Sequence, residues 1–465
     1  MRSFFILLWT LACLPVMAGL KLAPLFTDHL VLQQDTLVKV WGTALSGQTV
    51  TVSPSWLDSP ISVQTDENGH WCTQVRTLAA DNLSHSIRVS CADEIAQLKD
   101  VVFGEVWFCS GQSNMEMKLK GYYGQAILTG PRSIMNARND MLRICEVKKQ
   151  YALEEQTTCD LTGWRVSVPE VAADCSAAAY FFGRQLQASL GIPVGLIIAP
   201  WGGADIVAFM SGRSIEKFSE YKIPQSKAEV SKANVSPTVL YNAMIHPCVG
   251  YGMRGVLWYQ GETNRKTPEL YRRLFKEMVT DWRQRWDIGE FPVYFAQVAP
   301  FDYPDGNSAY LREAQLLCEG EVANTGMVCL LDCGEEKNIH PADKLTVGER
   351  FAAIALDRTY GVAGVVSRGP FLKSVEFDGP RAVLTFDFTF GGLTTCGNTL
   401  DQFEVAGSDK VFHKARAVIR KNQVVVTSTE VEAPVAVRYG FTDYVRGSLY
   451  NVAGWPASSF RTDTW

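Results

Sequence analysis

The stretch VVFGEVWFCSGQSNMEM, Val101 to Met117, decides how this chain is read. Its first eight residues are almost all β-branched or aromatic, the pattern of a strand buried on both faces. The run then stops at Gly111-Gln112-Ser113-Asn114, where a helix can begin. On those four residues alone an ordinary strand-to-helix turn is sufficient, because Gly and Ser are common punctuation. The alternative is a nucleophilic serine held at a sheet edge, and the surrounding sequence has to choose.

Working outward, residues from about 101 to 360 alternate strand, loop and helix. The apolar segments VVFGEVWF, VGLIIAP, RGVLWYQ, PVYFAQVA and GMVCLLD are separated by helical stretches. In one of these, Leu270, Leu274, Met278 and Trp282 recur along one face. This alternation predicts an α/β fold, a parallel sheet covered by helices on both sides. Residues 19–100 read as all-β, with TLVKVWG, QTVTVSP and HSIRVSC between Asp, Gly and Ser turns. Residues 361–465 return to β signals in SVEFDGPRAVLTFDFTF and QVVVTSTEVEAPVAVRYG. The chain therefore divides into a leader at 1–18, a β-rich region at 19–100, an α/β region at 101–360 and a β-rich region at 361–465.

The leader reads MRSFFILLWTLACLPVMA, with Arg2, an apolar run from Phe4 to Val16, and small residues ending at Ala18. It predicts a signal peptide and an exported protein, and no later stretch has the length of a membrane span. Composition excludes other classes. The 465-residue chain carries a net charge of -5, so no basic excess exists to neutralise nucleic-acid phosphates. Beyond the leader, eleven cysteines are scattered without CxxC pairs or histidines at zinc-ligand spacing, so no metal site is expected. Two glycosylation sequons begin at Asn82 and Asn234.

In open parallel sheets, ligands bind at the carboxyl ends of the strands. Four such ends carry chemistry: Ser113, the pair Gly202-Gly203, the cluster Gln260 to Asn264, and His340. A serine hydroxyl becomes a nucleophile when a base takes its proton, and imidazole has the pKa for that task. Of six histidines, His29, His70, His85 and His413 fall in the β regions. His246 and His340 share an Ile-His-Pro context, but His246 lies upstream of its strand and His340 follows one. His340 is therefore the expected base, and His246 a packed structural residue. Acyl transfer also needs donors for the developing oxyanion. The Ser113 N–H, a glycine N–H at Gly202 or Gly203, and the side-chain amide of Gln260 or Asn264 are the candidates. Glu262 lies on the same rim, where it can orient that loop.

The ordered set SGQSNM, WGGADI, WYQGETN and IHPADK resembles the SGNH-type hydrolases, and most closely the sialate O-acetylesterase family. LFTDHLVLQQ, CSAAAYFFGRQL, LYNAMIHP, PVAVRYGF and SLYNVAGWPASSFRTD extend the likeness over nearly the whole mature chain. The resemblance implies an α/β/α hydrolase core beside β-sandwich-like accessory regions. It also implies Ser113 as nucleophile, His340 as base, and an oxyanion site near Gly202, Gly203 and either Gln260 or Asn264. An asparagine donates there in many SGNH hydrolases, which favours Asn264.

One position departs from the pattern. Many SGNH hydrolases carry an aspartate three residues before the histidine, and here that residue is Lys337. Asp332, Glu335, Glu336 and Glu262 are the substitutes within reach, with Glu335 taken as the triad acid; a Ser-His dyad is the alternative.

The expected activity is removal of O-acetyl groups from sialic acids, on free sugar or sialoglycan, with no metal or organic cofactor. Acetylated xylan is the rival substrate, and Trp107, Trp201, Trp258 and Tyr259 are candidates to stack on either sugar. A non-catalytic carbohydrate-binding protein on a hydrolase scaffold is the rival of another class, and Cys109 the rival nucleophile.

Overall fold

The computed structural model describes residues 19–465; the leader 1–18 lies outside the described residues. The strand Glu94–Gly111 organises the fold. Its first part pairs antiparallel with His85–Cys91, and it runs on unbroken to become the central strand of the large sheet. The division expected at 100/101 thus falls inside one continuous strand.

Across the sheet the order is Arg165–Ser167, Asn139–Glu146, Val194–Pro200, Glu94–Gly111, Gly255–Tyr259, Val293–Ala296, Thr325–Val328. All these pairings are parallel except the short edge strand Arg165–Ser167. After Glu94–Gly111 the chain builds one side of the sheet, then crosses to build the other. The carboxyl end of that strand is therefore the topological switch point, where open α/β sheets bind ligands. The Asn139–Glu146 strand was not among the segments expected. Its sequence NDMLRICE places Arg143 mid-strand, and that guanidinium is neutralised by Asp100 at 2.9 Å.

Side chains alternate across the sheet, as a pleated strand requires. Trp107 and Cys109 face the layer that holds Tyr180, Phe181 and Phe182 of the helix Ala177–Leu190 and Phe351 of Lys344–Ile354. Phe108 faces the opposite layer, with Leu274, Met278, Trp282 and Trp286 of the helix Pro268–Trp286. The four-residue spacing of Leu274, Met278 and Trp282 buries all three, and Leu270 is half-buried against the same cluster. Pro268 starts that helix where its missing N–H costs nothing. Ser176 caps Ala177–Leu190 by accepting from the Ala179 N–H at 3.2 Å.

The result is an α/β/α core flanked by β-rich regions, the class expected from the sequence. The N-terminal strands share their core with one face of the central sheet through Val38, Val52 and Val89. The C-terminal region holds two four-stranded antiparallel sheets around Leu384, Val405, Val426 and Tyr439. It is tied to the core by Arg312, fully buried, which donates to Ser459 Oγ at 3.1 Å and to the Gly440 carbonyl at 3.3 Å. No helix among the described residues is long and apolar enough to cross a membrane.

Candidate active site

Gly111 explains the sharp end of the central strand. A Cβ there would lie 2.2 Å from the Tyr259 carbonyl oxygen, and its φ is +139°. Only glycine lets the two strands stay this close while the chain turns. Gln112 then accepts from the Gly261 N–H at 3.1 Å, and its own N–H donates to Tyr259 at 2.9 Å. Ser113 starts the one-turn helix Ser113–Glu116, half-buried at the switch point. Its neighbour Asn114 is fully buried and donates to the Ile339 carbonyl at 3.0 Å. That bond fastens the residue after the serine to the residue before His340, so both chain segments meet on one rim.

His340 is half-buried on the loop before the helix Lys344–Ile354. Its Nδ1 lies 2.8 Å from the Gln125 side-chain oxygen, and Tyr122 packs edge-on against the ring at 5.7 Å. An amide oxygen at Nδ1 requires the hydrogen on that nitrogen and leaves the Nε2 lone pair to accept a proton. Neither Nε2 nor the Ser113 hydroxyl has a hydrogen-bond partner among the described residues. Such bonds commonly tighten only when substrate is in place.

Among the described residues no carboxylate touches the imidazole, and each proposed substitute for the acid is engaged elsewhere. Glu335 accepts from the Ala342 N–H at 2.6 Å and from the Asn338 amide at 3.2 Å. Asn338 in turn accepts from the His340 backbone N–H at 3.1 Å, so Glu335 shapes the histidine loop without reaching the ring. Asp332 is held by Arg350 through both oxygens, at 2.8 and 2.7 Å. Glu336 pairs with the exposed Lys337 at 3.4 Å, and Glu262 accepts from Asn114 at 2.5 Å. The orienting partner is the neutral Gln125, from a loop that sequence reasoning passed over. His246 has both nitrogens satisfied, by the Gln156 carbonyl at 2.8 Å and Glu155 at 3.1 Å.

The two amide candidates differ in what they have left to give. Gln260 is fully buried, and its amide hydrogens go to the Ala204 carbonyl at 3.0 Å and Asn264 Oδ1 at 2.6 Å. Asn264 is locked by that bond, by the Ile206 N–H at 3.2 Å, and by donating to Asp205 at 2.9 Å. One Asn264 amide hydrogen has no acceptor among the described residues, whereas both Gln260 amide hydrogens are engaged. Of the glycine pair, Gly202 donates its N–H to the Glu116 carboxylate, which also holds Lys149 at 2.6 Å. Gly203 adopts a left-handed conformation, φ +66°, and Asn234 donates to the carbonyls of Gly202 and Gly203 at 3.1 and 3.0 Å. The second sequon asparagine thus braces the glycine loop. Trp107, Trp258 and Tyr259 are buried in the sheet, and of the four aromatic candidates only Trp201 is half-buried, with Lys149 over its ring at 5.8 Å. Cys109 is fully buried, and burial pushes its thiol far above the thiolate range.

Electrostatics favour a neutral base. Burial pushes the His340 pKa below its ordinary 6.5, the Lys344 ammonium pushes the same way, and Glu116 opposes them. Burial raises the carboxyl of Glu262. A neutral imidazole, on a loop bonded to the turn that a serine begins, can support acyl transfer.

A family model for carbohydrate esterases, sialic acid-specific acetylesterases, matches residues 103–357. The sialate O-acetylesterase of Homo sapiens is 28% identical over 404 residues, covering 80% of this chain and 77% of the relative. That of Mus musculus is 26% identical over 429 residues, covering 80% and 79%. The crystal structure of a carbohydrate acetylesterase from Xanthomonas citri is 34% identical with a TM-score of 0.88, covering 96% of this chain and 100% of that one.

Proposed function

The chain belongs to the sialic acid-specific acetylesterase family of carbohydrate esterases, and from that premise we propose that it removes O-acetyl groups from sialic acids through an acyl-enzyme on Ser113. It is an ester hydrolase with the fold of a carbohydrate acetylesterase. The observation that carries the mechanism is the bond from Asn114 to the Ile339 carbonyl, which draws the Ser113 turn and the His340 loop together.

In this account Ser113 Oγ attacks the acetyl carbonyl carbon while His340 Nε2 takes the hydroxyl proton. Asn264 Nδ2 and the Ser113 N–H receive the oxyanion. The tetrahedral intermediate collapses, and imidazolium returns its proton to the departing sugar oxygen. Water, activated by the same His340, then attacks the acetyl-serine and releases acetate. Gln125 holds the ring in the Nδ1–H tautomer throughout, so the pair works as a Ser-His dyad with a neutral orienting amide. The apolar leader supports the reading of an exported enzyme, acting where sialoglycans are reached.

Parallel incubation with O-acetylated sialic acids and acetylated xylan, measuring released acetate, tests the substrate. Preference for the sialic acids is expected. Turnover confined to xylan would transfer the reading to hemicellulose, and no release from either would favour a carbohydrate-binding role.

A further inference from the structure

Beneath the serine and histidine lies a buried charge that the acyl-transfer steps do not use. Lys344 is fully buried, yet among the described residues its ammonium contacts no carboxylate directly. It donates instead to Asn114 Oδ1 at 2.8 Å and to the Pro341 carbonyl at 2.6 Å. The other end of the Asn114 amide donates to Glu262 at 2.5 Å and to the Ile339 carbonyl at 3.0 Å. Glu262 Oε2 is itself buried without a partner. One asparagine thus joins an ammonium, a carboxylate and the peptide preceding His340.

A buried ammonium is costly to keep unless its hydrogens are bonded, as they are here. Lys344 bridges the two chain segments that carry Ser113 and His340. Its amide and carbonyl partners lie on both sides of His340, one on the residue after Ser113 and one on Pro341. We propose that Lys344 is a positioning residue for the reaction: it pins the Ile339–Pro341 turn, and its charge biases His340 toward the neutral, proton-accepting form. Ester cleavage is thereby kept active at lower pH than an unassisted histidine allows. The proposal rests on His340 being the base.

The groups around the cluster support this assignment. Lys344 is faced by Glu262 from the loop after Gly255–Tyr259, by Cys333 and Glu335 from the loop after Thr325–Val328, and by Asp343 on its own turn. The Tyr259 ring lies 5.9 Å from the ammonium. Burial pulls the Lys344 pKa down to about 7, the neighbouring acids and Cys333 resisting. In the more acid range where His340 titrates, Lys344 therefore carries its proton. His340 is faced by Lys344, which disfavours imidazolium, and by Glu116, which favours it.

The test is the acid limb of kcat/KM for a small acetate ester, which reports the free enzyme's base. The unaltered enzyme should show that limb below pH 6.5, the ordinary imidazole value. Lys344→Gln, which keeps an amide donor without the charge, and Lys344→Met should both move it to higher pH. Lys344→Arg should restore the original position. An unshifted limb in folded Lys344→Gln overturns the proposal, as does a limb at or above 6.5 in the unaltered enzyme, which needs no variant to fold. Failure of the underlying assignment has a different signature, full activity in His340→Ala.

Discussion

His340 Nδ1 sits 2.8 Å from the side-chain oxygen of Gln125, so an uncharged amide occupies the place where a triad aspartate would stand. An amide fixes the tautomer but offers imidazolium no compensating charge. In the low-dielectric setting of a half-buried ring that difference affects the pH range of the enzyme more than its geometry.

Gln125 can therefore be separated into position and charge. Gln125→Ala should lower kcat on the order of tenfold to a hundredfold, because the ring is left free to rotate out of line. Gln125→Glu should keep the position and add an anion, which stabilises imidazolium and moves the acid limb of kcat/KM to higher pH. Identical profiles for the unaltered enzyme and Gln125→Glu would remove Gln125 from the account.

The two Ile-His-Pro histidines should separate by phenotype. His340→Ala should lose turnover by about a thousandfold or more while remaining folded. His246→Ala breaks bonds to the Gln156 carbonyl and Glu155, so it should lower the melting temperature and leave kcat close to normal. A folded, inactive His246→Ala beside an active His340→Ala would reverse the assignment.

Asn264 and Gln260 make a second contrast. Loss of one oxyanion donor costs on the order of a hundred- to a thousandfold in kcat with little change in KM, which is the expectation for Asn264→Ala. Gln260→Ala leaves the Ala204 carbonyl and Asn264 Oδ1 short of a donor inside the protein, so it should chiefly destabilise the fold. Thermal melts and kcat for one acetate ester, measured on both variants, decide the matter.

Asn234 braces the glycine loop through the Gly202 and Gly203 carbonyls. Asn234→Ala should reduce kcat by about tenfold to a hundredfold through loosening of that loop, with little change in global stability. Unaltered kinetics would show that the loop holds its shape through the Gly202–Glu116 contact without Asn234.

Much of this arrangement could be read in the sequence. The apolar runs ending at Gly111, Pro200 and Tyr259 placed three strand ends on one rim, because fully buried parallel strands announce themselves by composition. The partner of His340 could not be read that way. Gln125 follows a glycine-hinged loop, Gly121 to Gly124, that carries no periodicity, and its contact with His340 spans 215 positions. The aspartate pattern drew attention to Glu335, which is near in sequence but turned toward the Ala342 N–H. Asn139–Glu146 escaped notice because an edge-proximal strand tolerates Arg143 and loses the uniform apolar signature. Lys344 ends the IHPADK motif, but nothing in that motif announces its burial, since a lysine at the start of a helix ordinarily lies in water.

The central claim is that Ser113 carries the acetyl group, and one comparison tests it most directly. Acetate released from O-acetylated sialic acid should be measured for the unaltered enzyme and for Ser113→Ala, with folding checked by circular dichroism. The account predicts release by the unaltered enzyme and a loss of about a thousandfold or more in kcat for the variant at unchanged fold. Turnover near the unaltered level in folded Ser113→Ala would contradict it.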